Sequence, residues 1–418
     1  MKNRIFALSL VASASVLAGV NLLKNGNFEE LDANGMPVGW SGFTPEVWSA
    51  SKGTGINGSN AMMFNCSEII DRSGPSQKIK LEPGKKYIYR VKVHHEGLNG
   101  NIRNSGGVQM CLMGFDADGK RTCGYYSHGM QGTWEDWYEI KEFLMEVPVN
   151  TVSAEFSLGV WKGLSGKAWF DEAIVEEYVP PIVESLVTSA YRDKPWQGAV
   201  RIAAALNIPK DDLKGYKGFL LYKDDSGRNV RTEAGSMDAE TAFFKFDVSC
   251  FAMGAQTLKF ELEKDGKVVG SAEKSFERLK KRPAEYKVWH DEYGRWIVNG
   301  RPFFPIGTGV SKPCPENLGR FIDYGVNTIG TGGQPDDATW DFCRTNNLKI
   351  IRNIGNLYVG ERWTVKRGWK TYEDQFNFLT NRIRQAKDRP ELLCWYLNDE
   401  LRPAMKPKMV KQIGRAHV

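Results

Sequence analysis

The sequence predicts a multidomain chain in which two antiparallel β-sandwiches precede a parallel α/β region, and three observations carry that expectation. At 418 residues the chain is longer than one ordinary domain, and its 43 glycines sit among short alternating apolar runs, which favours many turns and hence strands. The pair Pro180-Pro181 and the basic stretch Lys280-Lys281-Arg282 before Pro283 read as linkers at the two places where the texture changes. After Pro283 short apolar strands alternate with helical patterns, the signature of parallel pairing. The composition, 41% hydrophobic and 25% charged, is globular, and a net charge of +6 drawn from 56 basic and 50 acidic residues without a long basic block argues against a nucleic-acid partner.

Residues 1–20 open with Lys2 and Arg4, continue with an apolar stretch from Ile5 to Leu17, and place small Val16 and Ala18 at cleavage spacing. That is a secretory signal peptide, too short to span a bilayer, so a secreted or periplasmic location without membrane insertion is expected. Seven cysteines at irregular spacing form neither a disulfide framework nor a zinc pattern. Cys111 and Cys123 flank the turn at Asp116–Gly119, and whether they pair is left open by the unknown register. Adjacent His94 and His95 on one strand point to opposite faces, which argues against a shared metal. No cofactor and no catalytic metal are expected.

Residues 21–179 show the strand runs Tyr87 to His94, Val108 to Phe115, Trp137 to Val147, Thr151 to Leu158 and Ala168 to Glu176, separated by Gly, Asn, Asp and Pro. The opening Asn21-Leu-Leu-Lys-Asn-Gly-Asn-Phe-Glu29, then Gly39-Trp40, and the closing Lys167-Ala-Trp-Phe-Asp171 resemble the ends of carbohydrate-binding jelly-roll modules of secreted glycanases. A sugar presents an apolar C–H face that stacks on aromatic rings, and hydroxyl edges that need polar partners. Trp48, Tyr125, Trp134 and Trp137 are the leading candidates for such contacts, with Tyr126 and Trp161 beside them; core packing is the alternative for each. In the resembling modules carboxylates such as Glu29 and Asp171 can hold a structural calcium; a salt bridge or a hydrogen-bonded pair explains them equally.

Residues 182–280 repeat the alternating pattern over Gln197 to Leu206, Gly218 to Tyr222, Ala242 to Val248, Thr257 to Glu263 and Lys267 to Phe276. Size and strand count suggest an immunoglobulin-like β-sandwich without chemistry of its own, a spacer.

Residues 287–412 begin with a hairpin around Asn299-Gly300 that leads into a first strand at Phe303 to Gly307. There follow a helix at Glu316 to Tyr324, a strand at Thr328 to Thr331, a helix at Asp337 to Thr345, a strand at Lys349 to Asn353, a helix at Tyr372 to Lys387 and a strand at Leu392 to Leu397. Four such units suit either a doubly wound sheet or half of a (β/α)8 TIM barrel. Asn299-Gly-Arg-Pro-Phe-Phe-Pro-Ile-Gly307 and Leu392-Leu-Cys-Trp-Tyr-Leu-Asn-Asp-Glu400 resemble the barrel entry and fourth strand of retaining glycoside hydrolases of the β-galactosidase, mannanase and cellulase kind. The resemblance implies that Glu400 is the general acid/base, at the strand end where barrel sites form. It departs from the pattern at Asp399, which stands where Asn is usual, with Asn398 one place earlier; Asp399 is therefore an alternative proton donor. Asn398, Asn353, Arg352 and Tyr396 are candidate sugar-binding residues, and a mere polar strand-to-helix cap is the bland alternative for 398–400. The resembling enzymes carry their nucleophile on a seventh strand, to which no residue here corresponds. Residues 413–418 read as an artefactual tail, so the expectation is a C-terminally truncated, inactive portion of a hydrolase whose partner is a poly- or oligosaccharide. The alternative is a non-catalytic secreted glycan-binding protein.

Overall fold

The computed structural model describes residues 19–42, 44–68, 74–100, 107–127, 129–161, 164–354 and 368–396. These form two compact units: one holds the described residues up to Tyr178 together with Gly309–Leu318 and those from Ile329 to Tyr396, the other Val179–Thr308 with Gly319–Thr328.

The first unit opens with nine strands: β1 (Trp48–Ser51), β2 (Ala61–Cys66), β3 (Ser76–Ile79), β4 (Tyr87–Gly100), β5 (Gly107–Phe115), β6 (Arg121–Tyr126), β7 (Gly132–Leu144), β8 (Ser153–Trp161) and β9 (Leu164–Glu177). They make two antiparallel sheets, ordered β1-β2-β9-β4-β7 and β3-β8-β5-β6. Period-two alternation decides what each face does: along β4, Tyr87, Tyr89, Val91 and Val93 are buried while Arg90, Lys92 and His94 are half-exposed. The buried faces of both sheets meet in one core with Phe64, Phe156, Phe170, Leu112 and Val175. The long strands fall where the sequence pattern places them. Short β1, β2, β3 and β6 lack a run long enough to show a period.

Strand β7, at the sheet's edge, carries a bulge. Val93 pairs with Tyr138 and His95 with Trp134, so Glu135, Asp136 and Trp137 together oppose His94 alone.

In the second unit, β10 (Val183–Thr188), β11 (Ala199–Leu206), β12 (Tyr216–Lys223), β13 (Asn229–Glu233), β14 (Ser236–Met237), β15 (Thr241–Asp247), β16 (Gly254–Lys264) and β17 (Lys267–Arg278) build another two-sheet sandwich. The orders are β10-β11-β15-β14 and β13-β12-β16-β17, closed around Ile202, Phe244, Phe260 and Phe276. A small sheet follows from β18 (Val288–His290), β19 (Trp296–Val298) and β20 (Arg301–Phe303). Asn299 and Gly300 between its last two strands both have positive φ, 50° and 79°, as a two-residue hairpin turn requires.

The remaining elements are β21 (Gly307–Val310), α1 (Pro315–Ile322), β22 (Thr328–Thr331), α2 (Asp337–Thr345), β23 (Lys349–Asn353), α3 (Tyr372–Ala386) and β24 (Leu392–Tyr396). Their strands lie in sequential order, β21-β22-β23-β24, and β23 pairs with β24 in parallel. The first of them begins at Gly307, not at Phe303. Pro305 has no N–H to donate to a ladder, and Phe304 is 80% exposed, so the chain leaves the hairpin before it enters the sheet.

Helix α3 belongs to the same hydrophobic cluster as the first sandwich, contributing Leu379 and Ile383 beside Ile354 and Trp369. Its first turn docks on the β7 bulge. The Tyr372 N–H donates to Asp136 Oδ2 at 2.7 Å, the Glu135 N–H donates to the Lys370 carbonyl at 2.7 Å, and the Tyr372 ring meets Trp134 edge-on at 5.3 Å. Thr371 and Asp374 complete a reciprocal capping box. Among the described residues no helix is long and apolar enough to cross a membrane.

Candidate functional site: an aromatic row on the first sandwich

Three neighbouring strands, β9, β4 and β7, each place one aromatic ring on the face of their sheet turned away from the core. His94 stands opposite Trp169 in register, and the two rings stack in parallel, 4.4 Å apart with 2° between planes. Trp137 meets the other side of His94 edge-on at 4.6 Å. The rings reach this face for two reasons. Alternation along β4 sends His95 into the core and His94 out of it, and the β7 bulge turns Trp137 outward between buried Trp134 and Tyr138.

The chemistry of the row is apolar and nearly uncharged. Burial between the indoles holds the His94 ring below its ordinary 6.5, against the opposing pull of Glu96, so the imidazole is neutral at pH 7. The neighbouring cations on β4 are each matched: Lys92 pairs with Glu172 at 2.7 Å and Arg90 with Glu176 at 3.2 Å. Trp169 is only 8% exposed and its indole N–H is buried without an acceptor, a donor left over after folding. His94 and Trp169 cover one another's faces, so the half-buried Trp137 at the end of the row is the ring with area left for the C–H face of a sugar.

The sequence candidates divide sharply. Trp137 lies in the row. Tyr125 is 62% exposed on edge strand β6, with the Arg121 guanidinium over its ring at 5.7 Å and Tyr126 against its edge. Trp48 is a correction: with 0% exposure it packs between Phe64 and Phe170, and a ring without an open face cannot stack on a ligand. Trp134 is a second correction, 1% exposed against Tyr138 and Tyr372. The Trp161 side chain lies outside the described residues. His94 and Trp169 were not among the candidates, although the strand period that predicts opposite faces for His94 and His95 would have placed both rings on one surface.

Glu29 and Asp171 converge on one loop. Asp171, 1% exposed, accepts from the Ile56 N–H at 2.9 Å, the Ser59 hydroxyl at 2.8 Å and the Glu172 N–H at 2.6 Å; Glu29 accepts from the Asn60 N–H at 2.7 Å. Through these bonds the two carboxylates clasp the 55–60 loop. Burial raises the Asp171 carboxyl above its ordinary value even so. Among the described residues no group of three or more His, Cys, Asp or Glu is gathered for a metal. Cys111 and Cys123 are both free: the register sets Cys123 opposite Gly114 and Cys111 opposite Tyr126.

At the carboxyl ends of β23 and β24 the candidates part by face. Asn353 pairs with Tyr396, which is 38% exposed, and Arg352 with Trp395. Trp395 packs into the shared core, so Arg352 points to the helix side; it is 1% exposed and donates to the Gly333 carbonyl and to Gln334 Oε1. Arg352 as a contact for sugar hydroxyls is a correction, because its guanidinium is buried and already donates to Gly333 and Gln334. Burial, with Arg382 nearby, lowers it to about 10. Asn398, Asp399 and Glu400 lie outside the described residues.

No family model matches the sequence, and no curated protein matches it. Among solved structures the chain is similar to the enzymatically active domain of bacteriophage CBA120 tailspike protein 4, at 14% identity and a TM-score of 0.26 over 38% of this chain and 22% of that one. It is similar to the CBM22-1 xylan-binding domain of Paenibacillus barcinonensis Xyn10C, at 14% identity and a TM-score of 0.28 over 38% of this chain and 96% of that one. The Parabacteroides merdae β-glucuronidase is matched at 12% identity and a TM-score of 0.25 over 84% of this chain, which spans 48% of the glucuronidase. At such scores the likeness is a likeness alone.

Proposed function

We propose that the first sandwich binds a poly- or oligosaccharide through Trp137, backed by His94 and Trp169, and that the chain is part of a glycoside hydrolase whose acid/base is Glu400. One observation carries the binding half: three aromatic rings from adjacent strands form a continuous row on a sheet face where the neighbouring cations Arg90 and Lys92 are paired. The catalytic half is supported by the motif ending in Asn398-Asp399-Glu400 and by sequential strand order, whereas a doubly wound sheet reverses its order at a switch point. Asn353 and Tyr396 share a face at the ends of β23 and β24, where a barrel would present substrate contacts. In this reading Glu400 protonates the leaving oxygen, with Asp399 as the alternative donor; the nucleophile is assigned to no residue of the chain. The second reading is a non-catalytic glycan-binding protein, favoured by the fact that the row is complete within the sandwich itself.

Binding is tested by affinity electrophoresis in neutral polysaccharides, where Trp137→Ala should lose retardation by about tenfold in affinity, on the order of the contribution of one stacked ring. Unchanged retardation would remove the row from the proposal. The catalytic half is tested in a protein with a complete barrel. Glu400→Gln should depress turnover of substrates with poor leaving groups far more than of those with good ones, since only the former need an acid. Equal losses on both would sink the role given to Glu400.

A further inference from the structure

The second sandwich, a spacer by its sequence, carries an aromatic cluster of its own. Trp196 meets Trp289 edge-on at 4.9 Å and Tyr286 at 6.0 Å, and Tyr191 reaches Tyr286 at 5.2 Å and His290 at 6.4 Å. Between them opens a small, open-mouthed cleft of about 50 Å³ lined by Tyr191, Trp196, Gln197, Trp289, His290 and Glu292.

Three features distinguish this cleft from ordinary packing. Glu292 is fixed by the Ala199 N–H, which donates to Oε2 at 2.7 Å, and its carboxylate reaches the space a Cβ on Gly198 would fill, 2.8 Å away; Gly198 also has φ +78°, so a glycine is needed there on both counts. Gln197 is exposed and its carboxamide makes no hydrogen bond to the described residues. Behind the rings, Arg192 lies over Tyr191 at 5.5 Å and Tyr286 at 5.3 Å, and both Arg192 and Asp193 hold left-handed φ, 56° and 57°, in a backbone that non-glycine residues rarely adopt. Ring faces, a carboxamide and an anchored carboxylate are the groups that recognise a hydroxylated ring. Glu292, with Asp291 also on the cleft wall, disfavours an anionic one.

We propose that this cleft is a second saccharide site, taking one ring of a neutral glycan, with Trp196 and Trp289 as the stacking surface and Gln197 and Glu292 as hydroxyl partners. It acts independently of the Trp137 row. The test is a fluorescence titration of the intact chain with xylohexaose, mannohexaose and cellohexaose, with oligogalacturonate as the anionic control. Trp137→Ala should retain saturable binding of a neutral hexasaccharide. In that background Gln197→Ala, a change at an exposed residue that leaves folding intact, should weaken binding roughly two- to tenfold, the range of one hydrogen bond, and Trp196→Ala should abolish it. Absence of saturable binding in Trp137→Ala, equal affinity with and without Gln197, or preference for oligogalacturonate would each overturn the proposal. Loss of wild-type binding on Trp196→Ala but not on Trp137→Ala would refute the row while leaving the cleft standing.

Discussion

His95 lies wholly inside the first sandwich, where its Nδ1–H donates to the Gly132 carbonyl at 3.0 Å. Burial holds it down at about 4. In the unfolded chain the ring takes its proton near 6.5, whereas the folded protein resists until about pH 4, so the contribution to stability is present above pH 6.5 and is lost as pH falls toward 4. A shift of that size corresponds to about 3 kcal/mol. His95→Asn, whose amide can keep the donor to Gly132, should therefore flatten the fall in urea-unfolding free energy between pH 6.5 and 4; an unchanged slope would assign the acid sensitivity elsewhere. His94 has the same sign with its cause in the row, which ties acid loss of stability to the surface proposed to bind sugar. The two neighbours show what residue-level reading can and cannot reach. Their opposite faces follow from strand period alone, but which face is sealed depends on a second sheet far away in sequence. The same ignorance made Trp48 and Trp134 look like Trp137.

At the scale of elements, the decisive contact is the first turn of α3 on the β7 bulge. Helix starts leave N–H groups without partners, and here Thr371 takes that of Asp374 while Asp136, from a strand 236 residues earlier, takes that of Tyr372. Asp136→Ala should cost on the order of 1 kcal/mol in denaturant unfolding, as a lost cap does, and Asp136→Asn less, since its carbonyl still accepts. A loss no larger than that of an exposed alanine substitution would show the contact to be incidental. Half of this arrangement was legible: the helix is expected over Tyr372 to Lys387, and α3 spans Tyr372–Ala386, one residue short of that expectation. The other half was not, because a bulge is set by the register of two strands and leaves no period of its own. The displaced start of β21 has the opposite origin: Pro305 was visible, and its missing donor should have moved the strand forward.

Across the whole first unit, sandwich and α/β elements share one hydrophobic cluster, with Trp369, Leu379 and Ile383 continuous with Phe156 and Val175. Elements that bury one another's apolar surface lose it together. Amides of α3 and those of β4 and β9 should lose hydrogen-exchange protection at the same denaturant concentration, and α3 opening well before the strands would show that the cluster is two cores in contact. Sequence boundaries drawn at prolines and charge clusters separate stretches of chain and have no access to this kind of sharing, which joins residues on either side of an intervening sandwich.

The Asp136–Tyr372 contact also bears on inheritance. A module joined only by a linker can be exchanged between genes as an interchangeable bead, but this sandwich has its partner helix encoded far downstream. A recombination event at Pro180-Pro181 that brought in a foreign sandwich would leave the α3 amide uncapped and Leu379 and Ile383 facing a surface never selected to cover them. Variation in this lineage should then fall on the outward row proposed to bind sugar, and spare the seam that holds sandwich and helix together.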